Sequence, residues 1–189
     1  SQTHQFHRAA IERADLQMKS PLGREARLVN MITLGHALTE LNDPPVKSIF
    51  VYCSNPAAVA PNQSAVRRGL RRDDLFTIVH EQFQTATADF ADLLLPATTF
   101  LEHTDLYSSY GHLHVQMARP ALEPEGEARS NVQIFRDLAA RLGFDDQAFG
   151  DTEDDMIRTA LASGHEFLKG ITLEALEQRH HIRLNVAPD

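Results

Sequence analysis

Residues 47–56, KSIFVYCSNP, open the stretch of sequence that decides the fold, in which short apolar runs each stop at a polar turn. A second run, LFTIV, fills residues 75–79, and a third, LLL, fills residues 93–95. Apolar runs of this length are typical of strands that are buried on both faces, as the strands of parallel sheets are. The pattern predicts three strands of one parallel sheet, over residues 48–53, 76–80 and 92–95.

The segment between the first two runs predicts a helical crossover. It holds 22 residues, 54–75, which is far too many for a hairpin and enough for a helix. Pro61 suits the first turn of that helix, and Gly69 suits its end. Arg67 and Arg68 fall in the last turn, where positive charge is favourable. The predicted fold class is therefore α/β, a Rossmann-like parallel sheet with flanking helices.

Helical periodicity flanks the three strands on both sides. Apolar residues spaced for one face of a helix predict helices near 25–41, 131–142 and 153–163. Thr152 and Thr172 are placed to cap the starts of helices near the end of the chain. The helix over 131–142 carries an apolar stripe of Val132, Phe135 and Leu138, and we expect these three side chains to be buried in a core.

Composition and charge narrow the classes of partner. The chain has 189 residues, with 18 Lys and Arg against 26 Asp and Glu, so its net charge is -8. This balance argues against a nucleic-acid backbone or an anionic membrane as the main partner, because both need clustered positive charge. A phosphate-bearing small molecule stays open, since backbone N–H groups can hold it. No apolar run reaches the length of about 18 residues that suggests a membrane span. The N-terminus lacks a signal pattern, which favours the cytoplasm and leaves the compartment undecided.

Several residues invite comparison with metal sites. His112 and His114 alternate along a segment, 111–117, that is patterned as an extended strand, and they would lie on one face of it. The sequence has no H-E-x-x-H motif, however, and His103 has no second histidine at helical spacing. A single cysteine, Cys53, excludes an internal disulfide and any iron–sulfur cluster or Cys-rich zinc site made from this chain alone. We expect no metal site within the chain.

Two polar turns follow the first two predicted strands and form the candidate ligand site. In open parallel sheets, ligands bind outside the carboxyl ends of the strands. The first turn is Cys53-Ser54-Asn55-Pro56, whose small residues let the backbone approach a ligand. Asn55 brings an amide with donors and an acceptor, and Pro56 biases Asn55 away from helical geometry so that the strand ends there.

The second turn runs from His80 to Thr87. The Glu81 carboxylate can accept two hydrogen bonds from a guanine or pterin edge, and the hydroxyls of Thr85 and Thr87 suit phosphate oxygens. The alternative is that these threonines merely cap a short helix. On chemistry alone, both interpretations of the second turn stay open.

The order of several motifs resembles one enzyme family. Asn55-Pro56 after a strand is followed by DDLFTIVHE at residues 73–81 and by TATADFADLLLPA at residues 85–97. Glu102, SYGH at residues 109–112 and GEARSN at residues 126–131 extend the match. Together these segments closely resemble the molybdopterin oxidoreductase family, which includes formate dehydrogenases, nitrate reductases and dimethyl sulfoxide reductases. The resemblance covers roughly residues 25–145.

The resemblance implies that the chain is one part of a larger enzyme. Family members are several times longer and often carry an iron–sulfur cluster in an N-terminal region that this chain lacks. The chain would belong to the α/β region that cradles one of two molybdopterin guanine dinucleotides. The molybdenum and any iron–sulfur cluster would belong to the parent protein. The remaining domains of the parent would be the partners of this chain, and electron-transfer subunits are compatible with the family.

The resemblance also implies that the two turns face the cofactor. It implies no catalytic and no metal-ligating residue in the chain. With this resemblance, the polar and helical character of the two ends predicts an N-terminal polar segment over 1–23, an α/β cofactor-binding domain over 24–145 and a helical extension over 146–189. The parent would be a molybdopterin-dependent oxidoreductase, whereas the chain alone would be inactive. The residues implied to bind the cofactor are Cys53, Ser54, Asn55, Pro56, His80, Glu81, Thr85 and Thr87.

Two departures from the family pattern and one competing function accompany this assignment. The family commonly has Gly where Cys53 or Ser54 stands, and many members have Gly-Arg-x-Gln where this chain has residues 111–114, GHLH. Cys53 does not match the position of the family's metal ligand. The competing interpretation is a stand-alone α/β nucleotide- or anion-binding module without redox chemistry.

Overall fold

The computed structural model describes residues 29–108 and 110–186, which form two compact units. The parallel-sheet unit contains residues 29–98 and 125–131, and the antiparallel-sheet unit contains residues 99–124 and 132–186. The predicted polar segment over 1–23 lies outside the described residues. The division into functional domains at residues 23 and 145 stays a prediction.

The parallel-sheet unit is built on three strands, β1 (Ser48–Tyr52), β2 (Phe76–Glu81) and β3 (Leu93–Pro96). They are parallel and lie in the order β1-β2-β3. The three strands predicted from the apolar runs are therefore confirmed. Tyr52 pairs with His80, so that the turns after β1 and β2 leave the sheet at the same edge.

The crossover from β1 to β2 contains two helices, α2 (Pro56–Val59) and α3 (Gln63–Leu70). The crossover prediction is confirmed, but the predicted helix ends at Pro61 and Gly69 are wrong. Asn62, with φ +56°, caps α3 instead, because its side chain accepts a hydrogen bond from the Ala65 N–H. Arg67 and Arg68 occupy the last turn, as predicted.

Gly69 lies inside α3 for a reason of packing. The preceding helix, α1 (Leu34–Glu40), follows a 3-10 turn over Met31–Thr33 and packs on α3. A Cβ atom at Gly69 would lie 2.3 Å from the Cβ atom of Leu38, and one at Gly35 would lie 2.7 Å from that of Ala65. Both glycines are needed because the two helices approach too closely for a side chain at these positions. The helix predicted near 25–41 is confirmed over residues 31–40, and residues 25–28 lie outside the described chain.

The antiparallel-sheet unit is built on β4 (Asp105–Ser108), β5 (His114–Ala118) and β6 (His181–Arg183), in the order β4-β5-β6. The extended segment predicted over 111–117 is confirmed for residues 114–117, which lie in β5. The helices α5 (Glu153–Leu161) and α6 (Leu173–Arg179) also belong to this unit. Its core contains Val115, Ile157, Leu161, Leu168, Ile171, Leu173, Leu176, Leu184 and Val186.

The predicted caps of α5 and α6 are both observed. The Thr152 side chain accepts a hydrogen bond from the Asp155 N–H, and the Asp155 carboxylate accepts one from the Thr152 N–H. Thr172 likewise accepts from the Ala175 N–H. These bonds satisfy N–H groups that have no partner within the first turn of a helix, which is why the two helices begin at these residues.

The helix α4 (Asn131–Leu142) has the predicted bounds but not the predicted burial. Val132 and Phe135 are half-buried, Leu138 is 38% exposed, and Ala139 is the one buried residue of the helix. The prediction that the stripe is core is wrong. Periodicity identifies the apolar side of a helix, but it does not show whether another element covers that side.

Candidate functional site

The candidate site lies at the carboxyl edge of the parallel sheet. The first turn, residues 53–56, leaves the end of β1 at Tyr52 and begins α2 at Pro56. The second turn, residues 82–87, leaves the end of β2 at Glu81. Because β1 and β2 are parallel and adjacent, both turns start from the same edge of the sheet. This is the position at which open α/β sheets bind ligands.

Side-chain hydrogen bonds join the two turns directly. The Oδ1 atom of Asn55 accepts from the Thr87 N–H at 3.2 Å and from the Thr87 hydroxyl at 2.7 Å. The Ala57 N–H donates in turn to Thr87 Oγ1 at 3.0 Å. Thr87 is fully buried. The structure therefore brings Asn55 and Thr87 together, and the single hydroxyl hydrogen of Thr87 is already directed at Asn55.

The other polar residues of the second turn and of the following segment also bond to the protein. Thr85 Oγ1 accepts from the Ala88 N–H at 3.4 Å, at the start of a 3-10 helix, as the capping alternative anticipates. Gln84 Nε2 donates to Asp89 Oδ1 at 3.2 Å. The Asp92 carboxylate accepts from the backbone N–H of β2 residue Thr77 at 2.7 Å. The segment that carries much of the family resemblance thus holds the turn in place.

Glu81 and its neighbours present a carboxylate and an aromatic ring. Glu81 is half-buried, and its Oε1 atom accepts from the Gln82 N–H at 2.8 Å. Gln82 Nε2 donates to the Thr98 carbonyl at 3.1 Å and anchors the start of the turn. Phe83, by contrast, is 72% exposed. The predicted grouping of Asn55, Glu81 and Thr85 stays a prediction beyond the shared edge of the sheet.

His80 lies one residue before Glu81 and is almost entirely buried, with 1% of its surface exposed. Its Nδ1 atom is 3.1 Å from the Leu95 carbonyl oxygen of β3. Its Nε2 atom has no hydrogen-bond partner among the described residues. Among the described residues, the imidazole ring is therefore hydrogen-bonded through Nδ1 and not through Nε2.

The first turn begins with a backbone conformation that favours glycine. Cys53 has φ +50°, in the left-handed region that residues with a side chain rarely adopt. The Gly that the family commonly has at Cys53 or Ser54 has a physical explanation here, since glycine adopts this conformation without a steric penalty. The Cys53 thiol is exposed, and the Asn131 Nδ2 group donates to its Sγ atom at 3.1 Å.

Sequence reasoning did not anticipate that residues 125–131 return to this edge. The Arg129 N–H donates to the Pro96 carbonyl at 3.1 Å, and the Thr98 N–H donates to the Arg129 carbonyl at 3.2 Å. These bonds pair residue 129 with residue 97, just beyond the end of β3, and they place Asn131 beside Cys53. The available signal was the GEARSN segment, which belongs to the family resemblance but has no assigned role in it.

The described residues contain neither a metal-ion cluster nor a membrane-spanning helix. Within residues 29–108 and 110–186, no three His, Cys, Asp or Glu side chains are grouped to hold a metal ion. His112 and His114 do have neighbouring rings, with centroids 5.8 Å apart, as expected for one face of an extended segment. Among the helices of the described chain, none has the length and apolar character needed to cross a bilayer.

Comparison with known proteins identifies the family. The family model for molybdopterin oxidoreductases matches residues 7–141. This chain belongs to the molybdopterin oxidoreductase family. Membership implies a molybdenum–pterin cofactor in the whole protein.

Curated relatives agree with this family and are much longer than the chain. A probable oxidoreductase, YoaE, of Bacillus subtilis (strain 168) is 46% identical over 157 residues, which cover 83% of this chain and 22% of the relative. The assimilatory nitrate reductase catalytic subunit of the same organism is 37% identical over 108 residues, covering 56% of this chain and 15% of the relative. A putative formate dehydrogenase of Staphylococcus aureus (strain USA300) is 30% identical over 155 residues, covering 82% and 15% respectively. The chain thus spans about a fifth or less of these relatives.

A solved structure supports the fold. Acetylene hydratase from Pelobacter acetylenicus matches with a TM-score of 0.67 and 24% sequence identity, covering 85% of this chain and 22% of that one. The shared architecture includes the parallel sheet with flanking helices that the sequence predicted.

Proposed function

We propose that this chain is the part of a molybdenum-dependent oxidoreductase that holds molybdopterin guanine dinucleotide at the carboxyl edge of its parallel sheet. The observation that carries the proposal is the pair of strand-end turns joined through Asn55 and Thr87, in a chain that belongs to this family. A cross-linked pair of turns gives a ligand a preorganised surface, because its polar groups need not be ordered again on binding.

The polar groups of this edge fit a guanine nucleotide. The carboxylate of Glu81 keeps acceptor capacity beyond its bond to the Gln82 N–H, and a guanine edge offers N–H donors to such a group. Because Asn55 Oδ1 is engaged by Thr87, its Nδ2 group is the part of the side chain that would serve ligand oxygens. Among the described residues Thr85 Oγ1 accepts from the Ala88 N–H and donates to none, so its hydroxyl hydrogen would donate to a phosphate oxygen.

Four further predicted residues would shape the site without bonding to the charged groups of the cofactor. Thr87 would act by holding Asn55, since its own hydroxyl hydrogen is used in that bond. Ser54 and Pro56 would keep the first turn small beside the ligand, with Cys53 fixing the direction in which the turn leaves β1. When bound, the cofactor supplies electron transfer at its molybdenum atom. The residues of this chain would bind and orient its guanine end.

The proposal is tested by changing Glu81 in the full-length protein to which the chain would belong. Glu81→Ala is expected to weaken cofactor binding by about 1–3 kcal/mol, because buried donors of the guanine edge would lose their acceptor. Cofactor occupancy after purification, measured as guanine nucleotide released on denaturation, gives the readout. Asp73→Ala is the matched control, since Asp73 is an exposed carboxylate before the opposite end of β2. Occupancy that is unchanged in Glu81→Ala refutes the guanine contact.

The isolated chain should show binding without chemistry. We expect it to bind a guanine nucleotide weakly, to carry no molybdenum and to show no redox turnover, because it would form only one wall of the cofactor site. Elemental analysis and an assay with an artificial dye measure the last two properties. Stoichiometric molybdenum, or turnover of the dye, would contradict the assignment of this chain as a binding part.

A further inference from the structure

The two faces of the parallel sheet differ in what packs on them. Side chains alternate along a strand, so residues that are paired in register across these parallel strands point to the same face. One face places Ile49 against the apolar cluster of α1, α2 and α3, and it places Val51 and Val79 in a second buried cluster. The opposite face contributes no residue to any core cluster of the described chain. We call it the Phe76 face, and it consists of Ser48, Phe50, Tyr52, Phe76, Ile78, His80, Leu93 and Leu95.

The Phe76 face is apolar, and a large part of it is exposed. Phe76 is 50% exposed and Leu93 is 41% exposed, and Tyr52 is exposed as well. Ile78, which pairs with Leu93, is half-buried. The face carries no Lys, Arg, Asp or Glu, so its chemistry does not favour a charged partner. Exposed apolar patches mark surfaces on which another part of a protein, or another protein, packs.

A groove beside β1 continues the Phe76 face at its edge. The volume of the groove is about 230 Å³, and Phe50 and Tyr52 of the face form part of its lining. Met31 and Val59, which are both exposed, line it from outside the sheet. A segment that covers the face would therefore find an apolar recess at the edge of the sheet for one of its own side chains.

The area of the Phe76 face favours the protein's own polypeptide over a separate partner. Three strands that lie about 4.8 Å apart and extend about 17 Å make a face of roughly 240 Å². A stable complex buries about 800 Å² on each partner, so a second copy of this chain docked here would bury far too little. A segment of the same polypeptide needs no such area, because its effective concentration at the face is high.

Relatives of this chain have ample polypeptide for such a cover, since the chain spans 22% of YoaE and 15% of the putative formate dehydrogenase. Parallel sheets are covered by helices on both faces. We propose that the Phe76 face is the surface on which an amphipathic helix packs in the full-length protein, and that this helix comes from outside these 189 residues. The inference goes beyond the proposed function, because it concerns a face of the sheet and does not depend on the cofactor.

Hydroxyl-radical labelling read by mass spectrometry tests the proposal on the wild-type sequence. In the isolated chain, Phe76 should be labelled at a rate close to that of Phe100, which is 62% exposed and lies outside the face. In the full-length protein, labelling of Phe76 and Leu93 should fall about tenfold or more, because close packing of the helix excludes solvent. Equal labelling of these two residues in both proteins, or protection of Phe76 already in the isolated chain, overturns the inference.

A charge on the Phe76 face gives a second readout. Phe76→Asp should leave the isolated chain folded, because this side chain is exposed there. It should lower the soluble yield of the full-length protein several-fold, since the new carboxylate would be buried without a partner. Phe100→Asp is the matched control, with the same substitution at an exposed phenylalanine outside the face, and it should leave the yield unchanged. Equal losses of yield for the two variants contradict the assignment of the cover to this face.

Self-association is the competing occupant, and sedimentation of the isolated chain measures it. We expect a monomer at the protein concentration used for labelling. A stable dimer in which Phe76 is protected assigns the face to a second copy and overturns the proposal. Guanine-nucleotide occupancy is measured separately, so the proposed function and this inference can fail independently.

Discussion

The two units of this chain use polar side chains in opposite ways. Among the described residues, every buried polar side chain belongs to the parallel-sheet unit. The antiparallel-sheet unit has an apolar core, and its polar side chains cap helices or pair at the surface. The buried polar residues are Thr77, His80, Thr87 and Thr98.

This difference indicates what each unit is suited to do. Burial of apolar side chains supplies most of the free energy of folding, and the antiparallel-sheet unit concentrates it in one cluster. Buried polar groups contribute less stability, and those that are hydrogen-bonded, such as Thr87, fix the positions of particular atoms. Three of the four lie at or beyond the carboxyl ends of the strands in the parallel-sheet unit. We therefore expect a ligand at that edge. Substitutions that remove a core side chain from one unit or a buried hydrogen bond from the other can test the difference between the two units.

The largest expected effect is the loss of a core leucine. Leu176 is fully buried in the antiparallel-sheet unit, so Leu176→Ala should lower the free energy of unfolding by about 2–5 kcal/mol. Urea unfolding followed at the amide signals of that unit gives the measurement. Leu142→Ala is the control, since Leu142 is 61% exposed and its loss should change stability by about 0.5 kcal/mol or less. Similar losses for the two leucines would remove the contrast between core and surface.

A smaller effect is expected from the bond between the two turns. Thr87→Val removes the hydroxyl that serves Asn55 Oδ1 and the Ala57 N–H, and should lower the free energy of unfolding of the parallel-sheet unit by about 1–3 kcal/mol. Thr39→Val is the matched control, because the Thr39 hydroxyl donates to the Gly35 carbonyl one turn earlier in α1 and joins no separate segments. If both variants unfold at the same urea concentration, the turns are not joined in solution as described.

The smallest effect concerns the surface of the antiparallel-sheet unit in acid. The Arg119 guanidinium bonds to Asp154 and holds the pKa of that carboxyl below its ordinary value. Because the folded state binds the proton less readily than the unfolded state, this contribution is present above the ordinary pKa and is lost as pH falls through the folded one. The pair is close to the surface, so it should contribute about 1 kcal/mol or less.

The acid prediction is checked by measuring unfolding of the wild type and Arg119→Gln from neutral pH down to about pH 3. The difference in stability between the two proteins should shrink as the pH falls. A difference that is constant over this range would show that Asp154 has no lowered pKa in solution.

The elements that could be predicted from sequence are those whose causes are local. Apolar runs and the length of the crossover predicted the parallel strands, and the caps at Thr152 and Thr172 predicted the starts of α5 and α6. β4 and β6 were not predicted, because each is only a few residues long and pairs with β5 through contacts distant in sequence. The crossover helix α2, only four residues long, was not predicted, and Gly69 was wrongly taken as the end of α3 because its role is close contact with Leu38.

The location of the candidate site could be predicted, whereas its internal bonds could not. Strand order places the two turns at one edge from sequence alone. The choice between Thr85 and Thr87 as partner of Asn55 depends on side-chain positions 30 or more residues apart along the chain, which no local pattern encodes. The left-handed conformation of Cys53 could not be predicted from the cysteine itself, and the Gly that the family commonly has at Cys53 or Ser54 was the signal for it.

The outer strand β3 also has a consequence for self-association. Its consecutive leucines Leu93 and Leu94 are 41% and 48% exposed although they point to opposite faces. Apolar outer strands of this kind are templates on which a second copy of a chain can add and start a fibre. Pro96 ends the strand without an N–H to offer a newcomer, and its carbonyl already accepts from the Arg129 N–H. Replacing Pro96 would add an N–H donor to this edge, so we expect the variant to aggregate more readily than the wild-type chain.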